Sequence, residues 1–465
     1  MSLLIPGTNS IKDTGYSVAN SLRFDSGSSD RLTRTFGSGG NSALWTWSGW
    51  IKRSKLGSRQ SIFTAYSDAS NLTRMEFTAN DELKFNDENS GNTNGRIVST
   101  AIFRDVASWY HIVFHWDSSD STSSDRLRMY VNNERITDFS NEGNAPSTTS
   151  RLNTAMSHEL GSENNGTFFE GYMAEVVFIN GANLDPDQFG EYDADSPTIW
   201  KPKDVSGLTF GTTGFYLDFE DSSALGNDVS GNNNDWTVSN LTSVDQSTDT
   251  CTNNFATLSP LTFSEGTLSE GNLEIDHNGS AGKFCASTFE VSQGKWYFEA
   301  KLLNYSSSSR PAIGLAQSHN SFRGGIYANT NYALFLPEGG AYESNSAHSV
   351  SGISTSPATN DIFMFAIDLD NLKFYAGKNG SWFSSQDPSA GSNGYTIAVS
   401  DSYAIATGAN DTSSNSARTN DWQFNFGSPM YSITSSNQDP NNYGNFEYST
   451  EGFYALNSKN LAEFG

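Results

Sequence analysis

The feature that most constrains this chain is a rhythm of short apolar–polar alternations, each stopped by Gly, Asn, Asp or Ser. From residue 21 the segments "SLRFDSG", "WTWSGWIKR", "QSIFTAYS", "TRMEFTA", "ELKFND", "GRIVSTAIF", "SWYHIVFHWD", "DRLRMYVNNERI" and "FEGYMAEVVFING" follow one another. Most have period two, so each turns one face toward a core and the other away. About nine strands in roughly 160 residues is the spacing of a β-sandwich. A second strand-rich region, about 262–430, contains "GNLEIDH", "GKWYFEAKLL", "PAIGLAQ", "NYALFL", "DIFMFAIDLD", "LKFYAGKNGSWF", "GYTIAVS", "YAIATGA" and "WQFNFG". At 465 residues one core is not enough. The expectation is therefore an all-β chain of two sandwiches in tandem.

That expectation divides the chain into an N-terminal arm (1–20), a sandwich (21–192), a structured connector (193–260), a second sandwich (261–430) and a polar C-terminal tail (431–465) ending in a short helix. In "YVNNERI", Asn132-Asn133 supplies the positive φ angles of a tight hairpin turn. One of few helix signals is "ANLDPDQFGEY": Asp185 caps, Pro186 takes the first helical position, and Gly190 stops it. No heptad run exists, so the chain supplies no coiled-coil shaft.

The hydrophobic fraction is only 35%, but 31 Phe, 19 Tyr and 10 Trp provide an aromatic core. With 27 basic against 52 acidic residues, the net charge of −25 repels phosphate, which argues against nucleic acid and anionic membranes as partners. Cys251 and Cys285 are expected as free thiols, and they lack the companions of a zinc site. The only early apolar run, Leu3-Leu4-Ile5, stops at Pro6-Gly7, too short for a signal peptide, and nothing reaches transmembrane length. No membrane insertion is expected; release with an assembled particle is one route out of a cell.

The first region resembles the laminin-G-like branch of the concanavalin A-like lectin/glucanase superfamily. The resemblance rests on "WTWSGWIKR", on "SWYHIVFHWD" followed by "RLRMYVNNERI", and on the closing "FFEGYMAEVVFINGANLDPDQF". The second resembles a SPRY-type domain, also a concanavalin A-like sandwich, through "GKWYFEAKL", "PAIGLAQ", "DIFMFAIDLDNLKFYAGKNGSW" and "WQFNFGSPMY" in that order. With the opening "LLIPGTNS…GYSVANSLRF", the tandem resembles virion proteins of marine tailed phages, especially podoviruses of cyanobacteria. The resemblance implies a non-enzymatic tail fibre, capsid fibre or appendage located in the virion. It would bind other virion proteins or a host-surface glycan and, by analogy with particle symmetry, oligomerise, with a trimer expected. The alternatives are a purely architectural decoration protein and a polysaccharide depolymerase.

Five groups of residues invite chemistry. Glu170 and Glu175 in "EGYMAE" match the outer carboxylates of the related glucanases' E-x-D-x-x-E, but Tyr172 replaces the middle Asp. Residues five apart face opposite ways unless a bulge intervenes, so hydrolysis is not expected. "GNDVSGNNNDW" offers Asp228, Asn232, Asn234 and Asp235, hard oxygen ligands suited to Ca²⁺; the bland reading is an Asx-turn cluster satisfying its own backbone. His111 and His115 share a strand face about 13 Å apart, too far to chelate one metal. For sugar stacking, Trp47, Trp109 and Trp296 read as core. Tyr327, Tyr332 and Tyr342, in the long insertion "RGGIYANTNYALFLPEGGAYESN", read as loop aromatics and the candidate ligand surface. Asp368 and Asp370, near the tip of the "AIDLDNLKFYAG" hairpin, read as solvated turn residues.

Overall fold

The computed structural model describes residues 15–36, 40–143, 146–263, 266–277, 283–305, 311–316, 332–336, 340–343, 346–348, 356–397, 402–409 and 420–465. The chain is nearly all β, as the alternation predicts, and divides into two compact units at Thr252/Asn253. Each unit is built from two large sheets and a two-stranded ribbon.

In the first unit, one sheet runs in the order Glu134–Arg135, Leu127–Val131, Trp109–Asp117, Leu44–Arg53, Gly171–Asn180, Ser21–Phe24 and Gln246–Ser247, with Phe215–Leu217 also paired to Gly171–Asn180. The other runs Phe139–Glu142, Asn92–Ile102, Glu82–Asn89, Asn71–Phe77, Gln60–Asp68, Ser157–Leu160, Arg31–Thr35 and Thr237–Ser239. Period two decides which side chains meet between them: Trp45, Trp47, Phe114, Trp116, Met173 and Phe178 pack against Phe63, Met75, Phe77 and Phe85. The Trp45 and Trp116 rings stack at 6.1 Å and Trp47 stacks on Phe63 at 6.3 Å. Asn132 (φ 51°) and Asn133 (φ 70°) make the expected turn, with Glu134 opposite Val131.

Two expectations change here. Residues 193–252 are not a connector. They complete the first unit, adding edge strands to both sheets (Thr237–Ser239 and Gln246–Ser247) and covering the outer face of the first sheet. There Phe189, Val205, Phe210 and Tyr216 pack over Val113, Tyr130, Val177 and Ile179, so that sheet is apolar on both sides. The predicted helix at 182–192 is only a 3₁₀ turn, Pro186–Gln188. Asp185 makes no side-chain cap, and the chain re-enters strand at Gly190–Tyr192, paired with Trp200–Pro202. Residues 15–20 pack on this unit too, with the Val18 amide donating to Thr252 Oγ1.

In the second unit, one sheet runs Thr267–Ser269, Glu274–Asp276, Asn420–Asn425, Lys295–Tyr305, Ile362–Asp368, Lys373–Lys378 and Ser381–Trp382. The other runs Lys283–Val291, Tyr403–Ala409, Pro311–Ala316, Tyr332–Leu336, Gly340–Glu343 and Ser346–His348. Phe335 of the second sheet meets Phe363 and Phe365 of the first. Residues 431–465 are not a free tail. Tyr454–Ala455 adds a parallel pair to Lys295–Tyr305, and Phe446 and Phe453 pack over Tyr297, Met364 and Tyr375. The predicted terminal helix spans Ser458–Phe464, capped by Asn457.

This covering layer explains a further correction. Asp368 lies on the face expected to be solvated, yet it is buried. Its carboxylate accepts from the amide and side chain of Asn371 and lies 3.5 Å from Lys295 Nζ. Asp370 Oδ1 accepts from the Gly294 amide. Cys251 and Cys285 lie in different units and are both free.

Candidate functional site

A cleft of about 480 Å³ opens on the first unit, lined by Trp109, Asn132, Glu134, Tyr192, Pro197, Thr198 and Trp200. That volume lies within the range of small-molecule sites. Three local structures build it: the first residue of the strand Trp109–Asp117, the Asn132–Glu134 hairpin, and the ribbon made by Gly190–Tyr192 and Trp200–Pro202.

Both indoles are fixed from behind. Trp109 Nε1 donates to Asp249 Oδ1 at 3.2 Å, and Asp249 Oδ2 holds the buried Lys52 ammonium at 2.7 Å. Trp200 Nε1 donates to His111 Nδ1 at 3.0 Å. That bond makes Nδ1 the acceptor, so the His111 proton sits on Nε2 and is shared with Ser48 Oγ at 2.8 Å. Full burial pulls His111 down to about 3, which keeps it neutral and this tautomer intact. The imidazole stacks on Trp50 at 4.9 Å, and the Trp200 ring centroid lies 6.0 Å away. Gly190 makes room for the arrangement, since a Cβ there would lie 2.5 Å from Trp200 Cζ2.

The rim is polar. Asn132 Oδ1 accepts from the His111 amide at 2.8 Å, which fixes the carboxamide and leaves Nδ2 without a protein acceptor among the described residues. The Tyr192 hydroxyl donates to Glu134 Oε1 at 3.3 Å, leaving Oε2 open. Tyr192 is 41% exposed, and its ring meets Trp200 edge-on at 5.0 Å. Aromatic faces beside a carboxamide, a carboxylate and hydroxyls are the elements of saccharide recognition: rings stack on sugar C–H faces while the rim exchanges hydrogen bonds with hydroxyls.

The residues singled out from sequence lie elsewhere. Asp228 accepts four hydrogen bonds, from the amides of Tyr216, Ser230 and Asn234 and from Ser230 Oγ. Asn232 and Asn234 turn their amide groups toward the carbonyls of Gly211, Thr212 and Gly214. Asp235 Oδ1 accepts from the Asp228 amide, and Arg34 bonds Asn234 Oδ1. These four residues form a hydrogen-bonded knot that ties 226–236 to the 211–216 segment.

A bulge does exist in the strand Gly171–Asn180, with Glu175 at φ 51°. The two carboxylates nevertheless share no partner among the described residues: Glu170 accepts from Ser26 and Lys55, Glu175 from Tyr16 and Tyr216. Burial pushes Glu175 up to about 7, against the two tyrosine hydrogen bonds. His115 faces Tyr130 at 5.0 Å, and burial pulls it down to about 3. Tyr327 lies outside the described residues. Tyr332 and Tyr342 were expected in a loop but stand in the paired strands Tyr332–Leu336 and Gly340–Glu343.

Sequence reasoning missed the cleft. Tyr192 and Trp200 sit on strands of three residues, too short for periodicity, while Trp109, read as core, is indeed buried at 8% exposure and meets the cleft only at its edge. The only available signal was the aromatic pair flanking Pro197 in "EYDADSPTIWKPK".

No curated protein sequence matches the chain. Among solved structures, the SPRY domain of human HERC1 is 12% identical, covering 36% of this chain and 96% of that one at a TM-score of 0.28. A heptameric SAP-like pentraxin from Limulus polyphemus is 14% identical, covering 37% and 80% at 0.27. Domains LG4-5 of the mouse laminin α1 chain are 10% identical, covering 89% and 85% at 0.30. Residues 25–187 match the laminin-G-type family model of the concanavalin A-like lectin/glucanases superfamily, so the body beneath the cleft is of that type, and Tyr192, Pro197, Thr198 and Trp200 lie beyond the match.

Proposed function

We propose that this protein is a non-enzymatic saccharide-binding component of a bacteriophage particle: a tail fibre, capsid fibre or appendage that binds a host-surface glycan at the Trp109–Tyr192–Trp200 cleft. The observation that carries the binding role is that cleft, whose two indoles are each anchored through Nε1 and whose rim keeps hydrogen-bonding groups open. The lectin-type fold of residues 25–187 supports binding over catalysis. The particle assignment rests on the resemblance of the opening and the tandem sandwiches to tailed-phage virion proteins, as do its location in the virion, its association with other virion proteins and its oligomeric, expected trimeric, state.

The test is titration of the full chain with a panel of bacterial surface glycans, read by tryptophan fluorescence, in the native protein and in Tyr192→Ala. Saturable quenching lost in the variant is the expected result. An absence of binding across the panel, with cryo-EM placing the protein on a capsid face turned away from the host, would instead favour a purely architectural decoration role. Release of reducing ends that disappears in Glu170→Gln or Glu175→Gln would establish a depolymerase.

A further inference from the structure

We infer that the cleft selects a saccharide bearing a free, protonated amine over its neutral or acidic counterparts; the inference rests on the saccharide-binding reading above. Glu134 is the only charged residue among those lining the cleft. It is exposed at the hairpin tip, and Tyr192 engages only its Oε1, so Oε2 is free to accept from a ligand. The basic residues next in sequence to the lining are already committed. Arg135 bonds Asp125 at 2.7 Å and the Ser124 carbonyl, and Lys201 lies 3.2 Å from Asp193 and 3.6 Å from Glu191. No lining residue offers a cation to a uronate or a sialate.

The aromatic groups act in the same direction as the carboxylate. The exposed Tyr192 ring carries the negative side of its quadrupole on its faces, which attracts an ammonium and repels a carboxylate. A net charge of −25 adds a long-range attraction for cationic ligands and a repulsion for acidic ones. Asn132 Nδ2 and Thr198 Oγ1 remain to bond ring hydroxyls, so an amino sugar meets both kinds of partner the cleft provides.

The probes are a fully deacetylated β-1,4-glucosamine tetramer, its fully N-acetylated counterpart and an oligogalacturonate. They are titrated into the full chain at about pH 6, below the pKa of an ordinary amine. One exposed carboxylate plus a cation–π contact predicts about tenfold tighter binding of the amine form than of the acetylated form. The oligogalacturonate should bind weakest, and the preference should shrink at about 0.5 M salt, where charges are screened. Glu134→Gln, an exposed substitution, should bring the amine and acetylated tetramers to parity by weakening the amine form more than the acetylated one; Tyr192→Ala should weaken both. Equal or tighter binding of the acetylated tetramer by the native protein, or a preference that survives Glu134→Gln, overturns amine selection and leaves the saccharide reading standing. Failure of the native protein to bind either tetramer overturns amine selection, and the saccharide reading falls with it only when the glycan panel is also negative.

Discussion

Glu299 offers the sharpest test of how the second unit is held together. It lies at the centre of the strand Lys295–Tyr305, fully buried, facing the C-terminal segment that covers the sheet. Its Oε1 accepts from the Tyr448 amide at 2.8 Å and the Tyr297 hydroxyl at 3.1 Å, and its Oε2 from the Glu447 amide at 3.0 Å and Asn425 Nδ2. Desolvation outweighs those four donors and pushes the carboxyl from 4.5 up to about 7. A carboxyl whose pKa is raised by folding holds its proton more tightly in the folded state. Its contribution is therefore fully present below about 4.5, declines as the pH rises, and is lost above about 7. The shift corresponds to about 3 kcal/mol, released when the segment lifts and Glu299 meets water. Hydrogen exchange of peptides spanning 445–456, corrected for intrinsic rates, should show protection falling on the order of 100-fold between about pH 5 and pH 8. Glu299→Gln should flatten that dependence. It should also lower protection at the acidic end by about 1–3 kcal/mol, because the amide NH₂ turns a donor toward a buried N–H group that a carboxyl oxygen accepted. Equal protection of the native segment at both pH values, or an unchanged pH dependence in the variant, would refute the reasoning.

Three further outcomes are expected. Burial pulls His111, His115 and His158 down to about 3, 3 and 4, so the unfolded chain takes up three protons below about 6.5 that the folded first unit refuses; Glu175, raised to about 7, offsets one. The first unit should therefore lose about 3 kcal/mol per pH unit between about pH 6 and pH 5, measured by denaturant melts followed by tryptophan fluorescence, and a flat profile would refute it. Because Asp228 already accepts four internal hydrogen bonds, neither EDTA nor added Ca²⁺ should shift the melting temperature, whereas Asp228→Ala should cost about 3 kcal/mol by orphaning buried amides. Gly190→Ala should force the Trp200 indole off its seat and weaken saccharide binding at least several-fold while circular dichroism stays native; unchanged affinity would show that Trp200 does not form the binding face.

Much of the sandwich architecture was legible because its strands are long enough to show a period. In "SWYHIVFHWD" every second residue from Ile112 is large and apolar, and the structure puts Ile112, Phe114 and Trp116 between the sheets and His111, Val113 and His115 on the opposite, covered face. Turns with a chemical requirement were equally clear: Asn132-Asn133 and Asn379-Gly380 take the positive φ angles their residue types favour. Legibility ended where a second apolar surface covers the outer face. A strand buried on both sides loses the contrast that reveals its orientation, so Asp368 read as solvated when Phe446 and Phe453 were covering the Met364 face of its sheet.

The covering segments were unreadable for a related reason. They hold on by scattered contacts, such as Phe189, Val205 and Phe210 in the first unit and Phe446, Phe453 and Leu461 in the second, with strands of two or three residues between them. A side chain that anchors such a segment need follow no periodicity; it needs only a pocket beneath it. This also locates the cleft. Trp200 belongs to the covering layer and His111 to the sheet below, and the 3.0 Å bond between them joins the two. The superfamily match supplies Trp109, Asn132 and Glu134, while the segment after residue 187 supplies Tyr192, Pro197, Thr198 and Trp200. Changes at these four positions can therefore alter what the cleft accepts without disturbing the core, because none of the four belongs to the packing between the two sheets.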